Sequence, residues 1–513
     1  MKRFNRFTTV LFLFVAIFAF SCSPARSAES AKERMIMSIH AEPTTMDPAE
    51  AKDIVSQMVQ FQLFDTLVKK ASDDPNKVIP CIAESWTATN ATEFVFKIRD
   101  DVKFHDGRAM TVDDVLFSLD RALKSTYTSG YNGPVESFGK VDDRHVKMTL
   151  KYPYAPVMDI ITNVSFAIVS KTAYEDAAAK GADFGRAPVG TGPYKFADWK
   201  SGDRIVFKAN EDYFGQKAAI KDITFRIMTD QGTAALALKN KEIDVLNMAL
   251  NSDWMHLDTA KDLYFIDCGS DSCHFIVFNC KEGVFANKLL RQAVSYAINR
   301  EDIILGGNDG DGDPNECLTP TTAFGYLPDF RNNPCDPEKA KQLLAEAGYP
   351  DGFTVKLRVN QANTYVKPAE IIQDELRKVG IILDFDKMER GAYLADVVGA
   401  SRFDIAVHMV NATVGDADNV LTRKLHSSMA DNGNNYGKYV NTEADKLIDE
   451  ARVESDPEKR LSLYRRVYEI MREDAPIIPL FSSTNRTYIN NDLKGGYPQV
   501  AFQFRLNEWY WEK

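Results

Sequence analysis

Residues 83–119 read AESWTATNATEFVFKIRDDVKFHDGRAMTVDDVLFSL and predict a strand, a turn and a helix in succession. Between positions 94 and 98 an apolar aromatic or aliphatic residue occupies every second place, which is typical of a half-buried strand. Gly107 ends a His-Asp-Gly turn, where glycine can adopt a positive φ. Thr111 and Asp114 then form a T-x-x-D capping box, so we expect a helix to begin here.

Lys103, His105 and Asp106 within this stretch could form an acid–base cluster, but a solvated turn between strand and helix explains them more simply. The sequence contains no G-x-S-x-G or H-E-x-x-H motif. Its seven histidines are scattered and lack the spacing of metal ligands. We therefore expect no catalytic residue, no cofactor and no resident metal, and an exported enzyme is the weaker alternative.

Residues 308–313, Asn-Asp-Gly-Asp-Gly-Asp, resemble the start of a calcium loop. Pro314 stands where an EF-hand needs glycine, and no glutamate occupies the twelfth position. The pattern favours an acidic surface turn over a calcium site.

The chain has 513 residues, of which 44% are hydrophobic, and its net charge is −11. This length and composition allow two or three domains with substantial hydrophobic cores. The net charge is negative and the sequence has no Lys/Arg-rich run, so we expect no nucleic-acid partner.

The N-terminus has the features of an export signal. Positive residues precede an unbroken apolar run at 10–20, which is too short to span a bilayer. Small residues directly before Cys22 resemble a lipoprotein cleavage box, which predicts a lipoprotein signal peptide over residues 1–22 and lipidation of Cys22. Residues 23–34 are then a flexible tether. Ordinary signal cleavage near residues 27–28 is the alternative.

Seven cysteines occur, and six remain when the cysteine at the cleavage site is set aside. An even number of cysteines in an exported protein predicts disulfides, although the pairing is not fixed by sequence. Cys317 and Cys335 are the preferred pair because both flank one proline-rich loop. Cys268 and Cys273 could close a hairpin, with Cys280 competing for either partner.

The motifs AESW, FVFKIR, VKFHDG and TVDDV occur in an order that resembles extracytoplasmic solute-binding proteins of ABC importers. The similarity is to family 5, the peptide/nickel class, which includes oligopeptide and dipeptide receptors. It continues through EPTTMDP at 42–48, VGTGPY at 189–194 and LRQAVSYAINR at 290–300. The resemblance covers essentially residues 35–513.

This resemblance implies an α/β fold of the periplasmic-binding-protein type, in the large class called cluster C. Two lobes, a ligand cleft between them and an additional middle domain are expected. By analogy, the first lobe combines 35–50, 186–285 and 486–513, the middle domain is 51–185 and the second lobe is 286–485. The resemblance further implies a monomer located in the periplasm or otherwise outside the cytoplasm. We expect it to attach to the membrane only through its lipid anchor and to have an ABC permease and ATPase complex as its partner.

The resemblance also indicates candidate ligand-binding residues around the cleft. They are Glu42, Thr44, Asn279, Gln361, Asn363, Tyr365, His408, Thr413 and Asp416. Thr413 occupies the position at which dipeptide receptors carry an Asp that anchors the ligand's amine. No Arg lies between positions 359 and 367, where such receptors anchor the carboxylate. We therefore expect a ligand held mainly by hydrogen bonds, with Asp416 or Glu42 as the alternative amine anchor.

The sequence thus predicts a substrate-binding lipoprotein of an ABC importer that captures peptides or a related small organic solute. A non-peptide ligand of the same family, such as a nickel chelate, haem or an oligosaccharide, is one alternative. A receptor that serves sensing is another.

Overall fold

The computed structural model describes residues 33–51, 53–269, 272–412, 414–431, 434–496 and 503–512. The predicted signal peptide with Cys22, the tether up to residue 32 and the candidate Thr413 lie outside the described residues.

The helices are amphipathic segments that mostly begin at a capping side chain. They are α1 (Ile54–Leu63), α2 (Val112–Lys124), α3 (Val157–Ile161), α4 (Lys171–Ala179), α5 (Gln231–Lys239), α6 (Asn251–Leu257), α7 (Lys288–Ala297), α8 (Arg300–Gly307), α9 (Pro337–Glu346), α10 (Asn363–Arg377), α11 (Arg390–Tyr393), α12 (Ala417–Leu425), α13 (Thr442–Val453) and α14 (Pro457–Asp474). Among the helices described, none is both long and apolar enough to cross a bilayer.

A seven-stranded sheet forms the first lobe. Its strands are β1 (Arg34–Ile39), β8 (Tyr194–Lys200), β9 (Arg204–Ala209), β10 (Asp222–Ile227), β11 (Val245–Leu246), β12 (Leu263–Gly269) and β19 (Thr484–Asn490), in the order β12-β19-β11-β1-β10-β9-β8. β1 pairs in parallel with both neighbours, β10 and β11. Met35, Met37 and Ile39 on β1 are fully buried, as expected for an interior parallel strand.

A six-stranded sheet forms the second lobe. Its strands are β13 (Ser272–Phe278), β14 (Asp313–Pro314), β15 (Phe353–Asn360), β16 (Ile381–Met388), β17 (Ile405–Asn411) and β18 (Ile477–Ser482), in the order β14-β18-β13-β17-β15-β16. Every residue of the central strand β13 is buried, because its alternate side chains enter two hydrophobic cores, one on each face of the sheet.

The quoted stretch builds the core of the middle domain. Its sheet contains β4 (Ala83–Asn90), β5 (Glu93–Ile98), β6 (Val135–Asp142) and β7 (His145–Leu150), in the antiparallel order β4-β5-β7-β6. The predicted capping box is confirmed: Thr111 accepts a hydrogen bond from the Asp114 N–H at 3.3 Å, and Asp114 accepts one from the Thr111 N–H at 3.0 Å. Two short strand pairs are also present, β2 (Val68–Lys70) with β3 (Val78–Pro80) and β20 (Leu493–Lys494) with β21 (Tyr510–Trp511).

Two of the predicted domain boundaries are wrong. β13 pairs with β17 and β18, so the second lobe begins at Ser272 and not at residue 286. Helix α1 contributes Val55, Val59 and Leu63 to the core of the first lobe, although the prediction gave it to the middle domain. Apolar periodicity identifies a strand or helix, but the sheet that it joins depends on residues distant in sequence.

The predicted disulfides are absent. None of the six cysteines in the described ranges forms a disulfide. Cys268 lies in β12 of the first lobe and Cys273 in β13 of the second, so the two cysteines belong to strands of different sheets and do not face each other in one hairpin. Cys317 is buried in a core of the second lobe, whereas Cys335 is exposed.

The acidic turn at 308–313 is tied to its surroundings by specific contacts. Asp309 pairs with the Nζ atom of Lys367 at 2.9 Å on the surface. Asp311 is buried and accepts a hydrogen bond from the Thr484 N–H at 3.2 Å, where the chain returns to the first lobe. Within the described ranges, no group of three or more His, Cys, Asp or Glu side chains is arranged to hold a metal ion.

Candidate ligand-binding site

A cavity of about 670 Å³ lies where the two lobes and the middle domain meet. The first lobe supplies the loop after β1 and the start of α1, the middle domain supplies its face near α3, and the second lobe supplies the segment after β17. Its lining includes His40, Ala41, Glu42, Thr44, Asp53, Gln57, Lys70, Asp159, Thr162, Asn163, Thr322, Asn411, Ala412, Val414 and Gly415. Of the predicted site residues, Glu42 and Thr44 line this cavity.

Thr44 is fixed by the N-terminus of α1. Asp53 caps this helix by accepting a hydrogen bond from the Ser56 N–H at 2.7 Å. The second carboxylate oxygen of Asp53 accepts a hydrogen bond from the Thr44 hydroxyl at 2.7 Å, and the Ser56 hydroxyl accepts one from the Thr44 N–H at 2.9 Å. The loop is thus held rigidly at the cavity wall, with the Thr44 hydroxyl already engaged.

Glu42 is also engaged by its own lobe. It accepts hydrogen bonds from the Trp199 indole N–H at 2.9 Å and the Gly202 N–H at 3.1 Å, and Arg186 lies 3.7 Å away. Burial alone would raise the pKa of Glu42, but hydrogen bonds from Ser201, Trp199 and Gly202 outweigh burial and lower it. Glu42 is therefore ionised but largely satisfied, which weakens it as an amine anchor.

His40 is a cavity residue that the sequence prediction missed. It follows β1 directly, and its Nδ1 atom is buried without a hydrogen-bond partner among the described residues. Burial lowers the pKa of His40 more than Asp53 raises it, so the imidazole is neutral at physiological pH. The only sequence signal was its position, one residue beyond the end of a buried strand.

An ion pair between Lys70 and Asp159 forms the middle-domain wall of the cavity. Burial lowers the pKa of Lys70 to about 8, against the opposite effect of Asp416 and Asp74. The sequence prediction missed this pair as well, because 89 residues separate its members.

Asp416 is engaged within its own lobe, which makes it unfavourable as the alternative amine anchor. It is fully buried and pairs with the Arg460 Nη2 atom at 2.7 Å. Its other carboxylate oxygen accepts hydrogen bonds from the Tyr464 hydroxyl at 3.0 Å and the Asp418 N–H at 2.9 Å. All of these contacts are internal to the second lobe, so Asp416 stabilises the N-terminus of α12.

The other predicted residues lie away from this cavity. Asn279 is buried in a turn, where it accepts hydrogen bonds from the N–H groups of Lys281 and Glu282. Gln361 and Asn363 are exposed near the start of α10. Tyr365 and His408 belong to one ring cluster in the second lobe, with ring centroids 6.4 Å apart.

A second cavity of about 690 Å³ lies between the middle domain and α12 of the second lobe. Gln57 lines both cavities, which makes them neighbours. Asn419, Thr422 and Arg423 present one face of α12 to this second cavity.

A profile of the bacterial extracellular solute-binding proteins, family 5, matches residues 77–432. The protein belongs to this family. The predicted family and the predicted two-lobed α/β fold are therefore confirmed.

Curated relatives of this family-5 protein match nearly its whole length. The Escherichia coli (strain K12) dipeptide-binding protein is 28% identical over 481 residues, 88% of each chain. The Bacillus subtilis oligopeptide-binding protein AppA is 28% identical over 558 residues, covering 100% of both chains. The Salmonella typhi glutathione-binding protein GsiB is 29% identical over 487 residues, 92% of this chain and 94% of the relative.

Solved structures agree with the fold. HbpA2 from Haemophilus parasuis has a TM-score of 0.87 and 27% identity, covering 94% of this family-5 chain and 100% of that chain. The periplasmic binding protein DppA from Helicobacter pylori, in complex with the peptide STSA, has a TM-score of 0.76 and 27% identity, covering 94% and 99%.

Proposed function

We propose that this protein captures peptides or related small organic solutes in the cleft between its lobes and delivers them to an ABC permease. The observation that carries the proposal is the cavity of about 670 Å³ with walls from both lobes and the middle domain. This volume lies in the range of ordinary ligand sites, roughly 300–1,000 Å³. Relatives similar over most of their length are named dipeptide-, oligopeptide- and glutathione-binding proteins.

The connections between the lobes suit a hinge motion. The chain passes from β12 to β13 and from β18 to β19 with at most two residues between strands of different sheets. A ligand that contacts both lobes favours the closed state, because its contacts to the second wall exist only there. The closed form is the one that a permease would recognise.

The cavity chemistry supports a ligand bound by hydrogen bonds at this position. His40 is neutral and has an unpartnered Nδ1 atom among the described residues, and the second lobe contributes the uncharged residues Ala412, Val414 and Gly415 to the lining. Glu42 and Lys70 are charged but already paired. A lining with neutral groups suits an extended peptide backbone, which can bind as an added strand.

Incubation of the purified protein with a peptide library, followed by mass spectrometry, tests this function. Bound peptides should be recovered with unchanged masses after release, and they should raise the melting temperature of the protein. Recovery of cleaved products would indicate an enzyme, and failure to retain any library member would refute peptide binding. Mass spectrometry of ligand that co-purifies with the protein is the complementary measurement.

We further propose that the protein is exported and anchored to the membrane through Cys22. The proposal rests on the apolar run at 10–20 and the small residues before Cys22. Metabolic labelling with a palmitate analogue should mark the wild-type protein but not Cys22→Ala. Labelling that persists in Cys22→Ala would contradict lipidation at this residue.

A further inference from the structure

A cluster of aromatic and imidazole rings surrounds His408 on β17. The ring centroids of Tyr393, Tyr436 and Tyr365 lie 5.6, 5.4 and 6.4 Å from that of His408. His274 on β13 extends the cluster, with its ring 6.0 Å from Tyr365. His408 itself is half-buried and lies three residues before Asn411, the last residue of β17, which lines the inter-lobe cavity.

Several polar atoms of this cluster have no partner. The Tyr436 hydroxyl and the Nδ1 atoms of His274 and His408 are buried without a hydrogen bond to any residue that the structure describes. Tyr436 is 1% exposed. Because buried polar groups are normally hydrogen-bonded, three unpartnered atoms in one contiguous cluster indicate groups available to a ligand.

Lys424 adds an unpaired positive charge to the cluster. Its side chain belongs to the last turn of α12, is 6% exposed and places Nζ 4.3 Å from the ring centroid of Tyr436. Within the described part of the chain, no carboxylate lies within 4 Å of this ammonium group. The neighbouring Arg423 likewise has no described carboxylate partner at that distance, and it lines the second cavity.

An isolated buried cation is unfavourable, because burial removes its hydration and supplies no opposite charge. The chain is not short of acidic groups, since its net charge is −11. Two adjacent cations of one helix that have no carboxylate partner among the described residues are therefore a specific feature of this region of the second lobe.

We propose that Lys424, with Tyr436 and His408, forms a subsite for a carboxylate group of the ligand. The ammonium group, the phenol hydroxyl and the imidazole N–H can all donate hydrogen bonds to carboxylate oxygens. The rings of Tyr365 and Tyr393 would contact the apolar or flat part beside that carboxylate. This inference rests on the proposed function. Lys424 on α12 would take the place of the carboxylate-binding Arg that is absent from positions 359–367.

Benzoate tests the subsite without assuming that the ligand is a peptide. Titration calorimetry would compare benzoate with benzamide, its neutral isostere, on the wild-type protein, on Lys424→Met and on Lys446→Met, a control lysine on the exposed face of α13. Benzoate should bind wild type and Lys446→Met at millimolar concentration, roughly 10- to 100-fold more tightly than it binds Lys424→Met. Benzamide should not distinguish the three proteins.

Equal benzoate affinity for wild type and Lys424→Met, or no benzoate binding to wild type, would overturn the subsite. Near-ultraviolet circular dichroism would verify that Lys424→Met retains native packing, and Lys424→Arg, which keeps the charge, should retain part of the affinity. If benzoate binding depends on Lys424 but no library peptide binds, the subsite stands and the proposed peptide function fails. The two failures are therefore distinguishable.

The pH dependence gives an independent readout. Burial lowers the pKa of Lys424 to about 7, with Arg423 adding to the effect. Titratable groups in the same cluster include His408 on β17, His274 on β13, Tyr393 and Tyr436. Burial lowers the pKa of His408 to about 3 and that of His274 to about 4, and it raises the pKa values of both tyrosines, so none of these groups titrates near neutrality. Benzoate affinity should fall about tenfold per pH unit above 7 in wild type. A pH-independent affinity would contradict a role for Lys424.

Discussion

The buried charges at the two ends of helix α12 differ in whether they have an ion-pair partner among the described residues. At its N-terminus, Asp416 is fully buried and has Arg460, Tyr464 and the Asp418 N–H as partners. In its last turn, Lys424 is also buried, and its ammonium group lies over the face of Tyr436 with no carboxylate partner in the described ranges. Only nine residues lie in this helix, so the contrast is local.

The difference separates two uses of a buried charge. A satisfied ion pair stabilises one arrangement of the lobe, and removing one member leaves the other uncompensated. An unsatisfied cation destabilises the ligand-free protein but is available to an anionic group. The sign of a substitution's effect on stability should therefore differ between the two ends of the helix.

The largest expected effect is at the satisfied end. Asp416→Ala leaves the side chain of Arg460 buried without its counter-ion, so the free energy of unfolding should fall by about 3–5 kcal/mol. Urea denaturation monitored by tryptophan fluorescence would measure the change. Asp416→Asn, which retains hydrogen-bonding capacity, should lose less than Asp416→Ala, and a loss below about 1 kcal/mol in the alanine variant would show that the pair does not stabilise the lobe.

At the other end, Lys424→Met should stabilise the ligand-free protein by roughly 1–3 kcal/mol near neutral pH, because it removes a buried unpaired charge. The pKa of Lys424 is about 7 in the folded state, below its ordinary value of 10.5. The unfolded wild type therefore binds more protons between these values, and wild-type stability rises with pH across this window.

The free energy of unfolding of Lys424→Met should therefore exceed that of wild type most strongly below pH 7, and this difference should decrease as the pH rises towards 10.5. Melting temperatures of both proteins across this range would measure the difference. If Lys424→Met is less stable than wild type at neutral pH, the Lys424 charge stabilises the ligand-free protein, which contradicts the prediction.

Glu42→Gln should have a smaller effect, below about 1 kcal/mol, because this carboxylate is satisfied but partly exposed to solvent. Its lowered pKa means that its contribution is present above its unfolded pKa and is lost as the pH falls through the folded pKa. The stability difference between Glu42→Gln and wild type should therefore vanish in acid. If the stability difference between Glu42→Gln and wild type persists unchanged at low pH, it arises from packing and not from the charge of Glu42.

The smallest effect is expected at the exposed pair of Asp309 with Lys367, which serves as the surface reference for both ends of α12. Asp309→Ala should change the free energy of unfolding by no more than about 0.5 kcal/mol, and less at high salt, because water screens this pair. The same urea denaturation series would measure it. A loss comparable to that of Asp416→Ala would contradict the distinction between buried and exposed pairs.

Sequence patterns predicted the local structure of this protein better than its contacts. The capping box at Thr111 and the strand over 94–98 depend on neighbouring residues, and both are present. The wrong disulfide between Cys268 and Cys273 came from the same local reasoning, since five residues of separation suit a hairpin equally well. The strands that flank those cysteines belong to different sheets, and no local pattern encodes that.

At the candidate site as well, sequence motifs predicted positions along the chain but not the contacts between remote residues. The loop containing Glu42 and Thr44 was recognisable from its motif and lies at the cavity. Asp416 was also recognisable from its motif, but its carboxylate faces Arg460, which is 44 residues away. His40, Lys70 and Lys424 carry no motif, and their importance depends on burial and on the partners that the fold gives or denies them.

By itself, the sequence indicated the family and the two-lobed α/β class through the resemblance of its motifs. It also determined the strand over 94–98 and the capped helix at Thr111, because strand periodicity and helix capping are set by residues a few positions apart. Only the tertiary structure decided which sheet β13 joins, which cysteines stay apart and which buried charges are paired. The physical reason is that desolvation and ion pairing depend on distances between side chains from remote segments. The fold satisfies Asp416 and gives Lys424 no carboxylate among the described residues, although the two residues are only eight positions apart.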